Sequence, residues 1–221
     1  MKLDHQIIAK IINEEAHVLD LGCGNGELLA FLTQEKKALV QGIELDEDQM
    51  HQCVERGLTV LQGDIESGLV DYPDKSFDFV ILNQIMQEIK KADFVIQESL
   101  RVGKRVIVGF PNFAHIKARF TLVFRGKTPI NEALPYYWFE TPNIRFLTIS
   151  DFIDYCGKKE IKIEQEYFLG KSSPVHFLPN LFAAIIVVPL PTKGSNTVMS
   201  FLVNRLMSFC TSLTMKGAGC S

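Results

Sequence analysis

The sequence lacks several features that would each fix a class of function. It has no basic excess: 23 Lys and Arg stand against 26 Asp and Glu in 221 residues, a net charge of −3. Phosphate backbones are held by clustered cations, so nucleic acid is not expected as the main partner. The five cysteines (Cys23, Cys53, Cys156, Cys210 and Cys220) are odd in number, scattered and free of any C-x-x-C pair. That argues against a disulfide framework or a zinc site and for a reducing compartment. Asp4, His5 and Gln6 stand where a signal peptide would be apolar, so a cytoplasmic protein is expected. No membrane span is expected either, because Asn204 and Arg205 interrupt the late apolar run well short of the about 20 residues required. Repeats and low-complexity tracts are absent.

What is present is 47% hydrophobic residues, enough for one core of ordinary density. Ile7, Ile8, Ile11 and Ile12 make one apolar face of a helix over 3–15. Short apolar strands follow at Val18–Leu21, Ala38–Leu45, Leu58–Leu61, Phe77–Leu82 and Arg105–Phe110. Helices are expected between them: from Gly26 to about Gln34, over 47–56 behind an Asp46 cap, and from Gln84 to Leu100 with a break near Lys90. Continuous apolar strands alternating with helices indicate a parallel sheet covered on both faces. The rhythm changes after Pro111. A helix is expected over Ala114–Phe124, then a long aromatic connection to Thr148, then a helix capped by Ser150 and stopped by Gly157. Strands at Ile161–Phe168 and Leu181–Val188 would close the domain as an antiparallel hairpin. The expected fold is α/β: a Rossmann-like, seven-stranded, mostly parallel sheet over residues 1–188. Pro189, Pro191 and Gly194 then introduce a tail, 189–221, with an amphipathic helix striped by Thr197, Ser200, Asn204, Ser208 and Thr211.

The first strand runs into Gly22-Cys23-Gly24-Asn25-Gly26 and then into the helix-forming Glu27-Leu28-Leu29. A strand, a glycine turn and a helix N-terminus form a ligand cradle with free N–H donors. No lysine follows, so it is not a P-loop. The dinucleotide fingerprint G-x-G-x-x-G needs glycine at 27, where Glu27 would face the pyrophosphate. The pattern Asp20-x-Gly22-x-Gly24-x-Gly26 instead resembles motif I of class I S-adenosylmethionine-dependent methyltransferases. That resemblance implies S-adenosylmethionine as cofactor, with the turn around its amino-acid and ribose parts. Glu44, ending the second strand, suits the ribose hydroxyls. Asp64, ending the third, suits the adenine amine. Asn83 ends the fourth strand at the sheet edge where such ligands lie. With the adjoining Cys23, Leu45 and Ile65 these are the expected cofactor contacts. Some have a plainer reading: Asp20 caps the turn, Glu44 is a solvated charge, Cys23 is a small turn residue, and Asp46 beside them caps a helix.

A narrower likeness runs through Val18–Gly26, Gly42–Asp46, Gln62-Gly63-Asp64, Phe77–Gln87, Leu100–Gly103, Phe110–Phe113 and Leu134–Thr148. These segments are similar to the MetW family of methionine biosynthesis proteins; Leu134-Pro135-Tyr136-Tyr137-Trp138-Phe139-Glu140-Thr141-Pro142-Asn143-Ile144-Arg145-Phe146 is the most specific. The resemblance implies a role at homoserine acylation, as a partner that supports homoserine O-acetyltransferase. It does not imply methyl transfer. Residues near the expected site are Gln87, His115, Tyr136, Trp138 and Glu140, and none is identified as a base. Gln84 and Gln87 would share a helix face, which suits binding more than proton transfer. Two functions stay open: a small-molecule methyltransferase, or a ligand-sensing partner that docks through the aromatic loop.

Overall fold

The computed structural model describes residues 2–130 and 134–191. Seven strands form one sheet: β1 (His17–Leu21), β2 (Leu39–Glu44), β3 (Val60–Gln62), β4 (Phe77–Asn83), β5 (Gly103–Pro111), β6 (Tyr167–Leu169) and β7 (Ile185–Pro191). Their order is β3-β2-β1-β4-β5-β7-β6. The first five are parallel; β7 runs antiparallel to β5 and to β6. The expected α/β class, strand number and end hairpin are therefore observed. The order reverses between β1 and β4, so their carboxyl ends flank the crevice where open α/β sheets bind ligands.

Both faces are covered, which is why the strands read as unbroken apolar runs. Leu19, Leu21, Val80, Leu82, Val106 and Val108 pack on Val95, Ile96 and Val102 of α4 (Ala92–Val102) and on Ile149 and Phe152 of α6 (Ile149–Lys158). Val18, Phe79, Ile81 and Ile107 face Ile7, Ile8 and Ile12 of the α1 (Leu3–Ile11) region and Leu28 and Leu32 of α2 (Glu27–Lys36). The remaining helices are α3 (Glu47–Glu55), α5 (Ile116–Arg125) and the single turn α7 (Pro179–Phe182). Among the described residues no helix is long and apolar enough to cross a membrane.

Several boundaries differ from expectation. The first helix stops at Ile11 rather than residue 15. Residues 84–91 form turns, and the helix begins only at Ala92. Gln84 adopts φ +60°, incompatible with a helix start, and the Glu66 carboxylate accepts from the Lys90 and Lys91 N–H groups at 2.9 Å each. Thr148, not Ser150, caps α6. Its hydroxyl accepts from the Asp151 N–H, whose carboxylate accepts from the Thr148 N–H in return, a full capping box. Gly157 does not stop that helix, which reaches Lys158. Of Ile161–Phe168 only the end pairs as β6; Ile161 and Ile163 alternate inward yet pack as coil against the core.

The last strand also shifts. Leu181 and Phe182 belong to α7, and β7 begins at Ile185 and runs through Pro189 and Pro191. A proline is tolerated where no ladder partner needs its missing N–H. The Pro189 carbonyl accepts from the Glu164 N–H at 3.1 Å, on the side where β6, paired only to Ile185–Val187, no longer runs. The tail expected from residue 189 thus contributes its first three residues to the sheet. Its amphipathic helix, with Thr197 and Asn204, lies outside the described residues.

Arg101 ties the α4 end to the loop before β4. Its guanidinium donates to both Glu98 oxygens (2.9 and 2.8 Å), to Asp74 (2.9 Å) and to the carbonyls of Tyr72 and Leu69. Arg101→Ala should therefore cost roughly 2–3 kcal/mol in a denaturant titration. A loss below about 0.5 kcal/mol would mean that water replaces these bonds at no cost.

Candidate functional site: a glycine cradle with buried carboxylates

β1 enters the turn through two bonds to β2: the Gly22 and Cys23 N–H groups donate to the Ile43 carbonyl at 2.8 and 3.2 Å. The turn then places Gly22, Gly24 and Gly26 at φ +73°, +57° and +78°. Every second residue is left-handed, which explains the alternating glycines. The positions differ in what lies above them. A Cβ on Gly26 would meet Leu58 Cδ1 at 2.5 Å and Cys53 Sγ at 2.8 Å. A Cβ on Gly24 would meet only the mobile end of Gln49, at 3.1 Å. Gly26 therefore serves packing, and Gly24 leaves its backbone open.

Glu44, 9% exposed at the end of β2, closes the cradle from the side. Its Oε2 accepts from the Gly24 N–H at 2.7 Å, and its Oε1 accepts from the Leu45 and Asp46 N–H groups at 2.9 and 3.0 Å. Asp20 lies beneath, 3% exposed, with Oδ1 unpartnered. Burial, then the neighbouring Glu44 charge, pushes its carboxyl up to about 7. Half-buried Glu88 is raised as well, by burial and then by Glu44. Neither Asp20 nor Glu44 forms an ion pair among the described residues. The free N–H donors expected of the turn are instead used within the chain: Gly22 and Cys23 donate to Ile43, Gly24 to Glu44, Gly26 to the Cys23 carbonyl at 3.1 Å and Glu27 to the Asn25 side chain at 3.2 Å. The site is a glycine turn over buried carboxylates without an ion pair, a fit for a cationic, hydroxylated ligand. Among the described residues no group of His, Cys, Asp and Glu is arranged for a metal.

The other candidates are placed as follows. The Cys23 side chain is buried with Leu29 and Cys53, and burial, with Asp20 next, pushes its thiol far up, so it is an inert packing group. Leu45 is 66% exposed at the rim. Asp64 is exposed and accepts from the Glu66 N–H at 2.8 Å, capping a short 3₁₀ turn (Ile65–Ser67) in which Ile65 packs on the core. Asp46 caps α3 by accepting from the Gln49 N–H at 2.9 Å. Asn83 donates to buried Asp4 of α1 at 3.1 Å, and its Oδ1 is buried without a partner. The involvement of Asp4, 79 positions away, has no sequence signal.

Gln84 and Gln87 do not share a helix face, because no helix forms there. Buried Gln87 donates through Nε2 to the Gln84 carbonyl at 2.6 Å. Its own carbonyl accepts from the Ile144 and Arg145 N–H groups at 2.9 and 3.1 Å. The Arg145 guanidinium donates to the carbonyls of Ile89 (2.8 Å) and Lys90. Ile85, in the same segment, packs on Gly22. Residues 84–91 thus touch the cradle on one side and carry the aromatic loop on the other, a link that only the folded chain reveals. His115 caps α5: its Nδ1 accepts from the Lys117 N–H at 3.2 Å, and burial followed by the Lys117 charge lowers its pKa. Tyr136 and Trp138 line a 160 Å³ cavity with Phe113, Pro129, Leu134 and Phe146, yet Trp138 is still 73% exposed. Glu140 is exposed in that loop.

Comparison with known proteins agrees with this geometry. The family model described as "Methionine biosynthesis protein MetW" matches residues 2–190. A bifunctional methionine biosynthesis protein MetXA/MetW of Rhodopirellula baltica is 34% identical over 76% of this chain, which spans 28% of that protein's length. A 27-O-demethylrifamycin SV methyltransferase of Amycolatopsis mediterranei is 29% identical over 42% of this chain and 37% of its own length. Among solved structures, an S-adenosylmethionine-dependent methyltransferase of Thermotoga maritima, a possible histamine N-methyltransferase, superposes with a TM-score of 0.61 at 21% identity, covering 86% of this chain and 88% of its own. One from Mesorhizobium loti gives 0.63 at 12% identity, covering 84% and 96%. These likenesses show a methyltransferase fold, and the match over residues 2–190 shows that the chain belongs to the MetW family of methionine biosynthesis proteins.

Proposed function

We propose that this chain binds S-adenosylmethionine in the glycine cradle and acts as a non-catalytic partner that supports homoserine O-acetyltransferase. The cofactor reading is carried by the orphaned Asp20 oxygen beneath an open Gly24 backbone. A sulfonium bearing an ammonium group and ribose hydroxyls supplies the positive charge and donors that this pocket lacks. Gly24 and Asp20 would hold the amino-acid part on a turn shaped by Gly22 and Gly26, Glu44 the ribose, and Leu45, Asp64 and Ile65 the adenine; Cys23 contributes backbone only. Asn83 borders this ligand beside Asp4. When bound, the cofactor would supply an electrophilic methyl group.

The partner reading is supported by what the residues near the site already do. The His115 Nδ1 is engaged at a helix N-terminus, the Gln87 amide is tied to Gln84, and Tyr136 and Trp138 belong to the loop. Among the described residues, the groups so engaged are not free, at those atoms, to take a proton from an acceptor. The relative that joins MetXA and MetW in one polypeptide supports association with the acyltransferase. The second reading is a small-molecule methyltransferase, favoured by the fold and the cradle.

The readings separate in one set of assays. Calorimetry should show S-adenosylmethionine binding, and labelled cofactor should transfer no label to small-molecule acceptors; transfer would establish the enzyme instead. Added homoserine O-acetyltransferase should co-sediment and change its rate. Trp138→Ala should weaken that association at least about tenfold, the scale of an exposed aromatic anchor. Unchanged association and rate would place the interface away from the loop.

A further inference from the structure

Helix α5 presents its apolar side outward. Ala118 is its one fully buried residue, while Phe120, Leu122, Val123 and Phe124 are exposed, Val123 and Phe124 by about three quarters (75% and 74%). Phe120, Val123 and Phe124 lie at i, i+3 and i+4, one stripe of the helix. The two phenyl rings stack at 5.0 Å and floor an open trough of 490 Å³ flanked by Lys117, Thr121 and Arg125. Residues 116–127 also carry Lys117, Arg119, Arg125 and Lys127 with no carboxylate, in a chain of net charge −3. Among the described residues none covers this stripe, and surfaces in water seldom leave so contiguous an apolar face bare.

We infer that α5 is a docking helix that seats Phe120, Val123 and Phe124 in an apolar, acid-rimmed groove of the acyltransferase; the partner's identity rests on the reading above. Anchors at this spacing are how an amphipathic helix enters a groove. The cationic flanks require carboxylates opposite, by charge complementarity. The face is continuous with the aromatic loop: Thr128 and Pro129, just past α5, line the same cavity as Tyr136 and Trp138. α5 and the loop then form one interface, with an aromatic anchor at each end.

The test uses the full chain and purified homoserine O-acetyltransferase. Phe124→Glu and, separately, Val123→Glu should each weaken association more than tenfold. Because both side chains are exposed, S-adenosylmethionine affinity and the melting temperature should stay unchanged. Lys117→Glu with Arg125→Glu should slow association and flatten its salt dependence. If the wild-type chain binds the acyltransferase and both Glu variants bind equally well, the α5 assignment is overturned and the partner reading stands. If the wild-type chain does not bind the enzyme, both fall. Phe124-dependent binding to phosphatidylglycerol vesicles, or Phe124-dependent self-association in sedimentation, would overturn the proposal in favour of a membrane or a second copy.

Discussion

Gly24→Val is expected to raise the dissociation constant for S-adenosylmethionine at least about 100-fold, a loss near 2.7 kcal/mol. A Cβ there meets only the end of Gln49 within the protein, so the added side chain would stand in the open space above the backbone, where the proposed ligand approaches. The matched control is Gly26→Val. Both positions share the left-handed backbone and its cost of about 1–2 kcal/mol for an L-residue. At Gly26 the new Cβ also strikes Leu58 and Cys53, adding overpacking of about 1–3 kcal/mol. Gly24→Val should therefore lose ligand first and Gly26→Val should lose stability first. Calorimetry and denaturant titration measure the two axes. Unchanged affinity in Gly24→Val would refute the cradle, and equal stability losses would refute the division of labour between the glycines.

The second large effect follows from Asp20. Its carboxyl is raised from 3.8 to about 7 in the folded chain, by burial first and the Glu44 charge second. The sign follows from linkage. Below about pH 4 the group is protonated folded and unfolded, and the site costs nothing. Between pH 4 and 7 the unfolded chain gives up the proton and the folded chain keeps it, so stability falls as pH rises. Above pH 7 the penalty is complete, on the order of 4 kcal/mol at most. Asp20→Asn should remove that slope, so its stability relative to wild type improves from pH 4.5 to pH 8. A cationic ligand prefers the ionised carboxylate. Wild-type affinity for S-adenosylmethionine should therefore rise from pH 6 to pH 8 with proton release, and Asp20→Asn should show neither change. Parallel pH profiles for the two proteins, in stability and in affinity, would show that Asp20 does not titrate in this range.

These two experiments address opposite sides of one design. Glu44 spends its carboxylate on three backbone N–H groups and so shapes the turn. Asp20, one layer below, makes no such bond through Oδ1 and remains an unpaired group in a low-dielectric site. The same arrangement that weakens the empty fold is expected to strengthen a complex with a cation.

Much of this was readable in the chain. Glycines at every second position after an apolar strand required left-handed backbone, and the missing glycine at 27 separated this turn from a dinucleotide site. Apolar strands alternating with helices required a two-faced sheet. Asp46 was legible as a cap because capping is local. What failed were readings that depended on distant partners. Residues 84–91 have helical composition, but Glu66, more than twenty residues earlier, binds the N–H groups of Lys90 and Lys91 and holds turns instead. Pro189 and Pro191 looked like chain breakers, yet they sit in β7 because the neighbouring strand is too short to need their N–H groups.

The sequence alone determined the fold class, the cradle and the family, since each rests on short-range periodicity, local φ requirements or contiguous segments. Only the tertiary structure decided which glycine has open space above it, that Asp20 Oδ1 lacks a partner, that Asp4 reaches Asn83, and that α5 turns its phenylalanines outward. Those depend on which atoms meet across the sheet and on how much water is removed, and neither is encoded in the spacing of residues along one strand or helix.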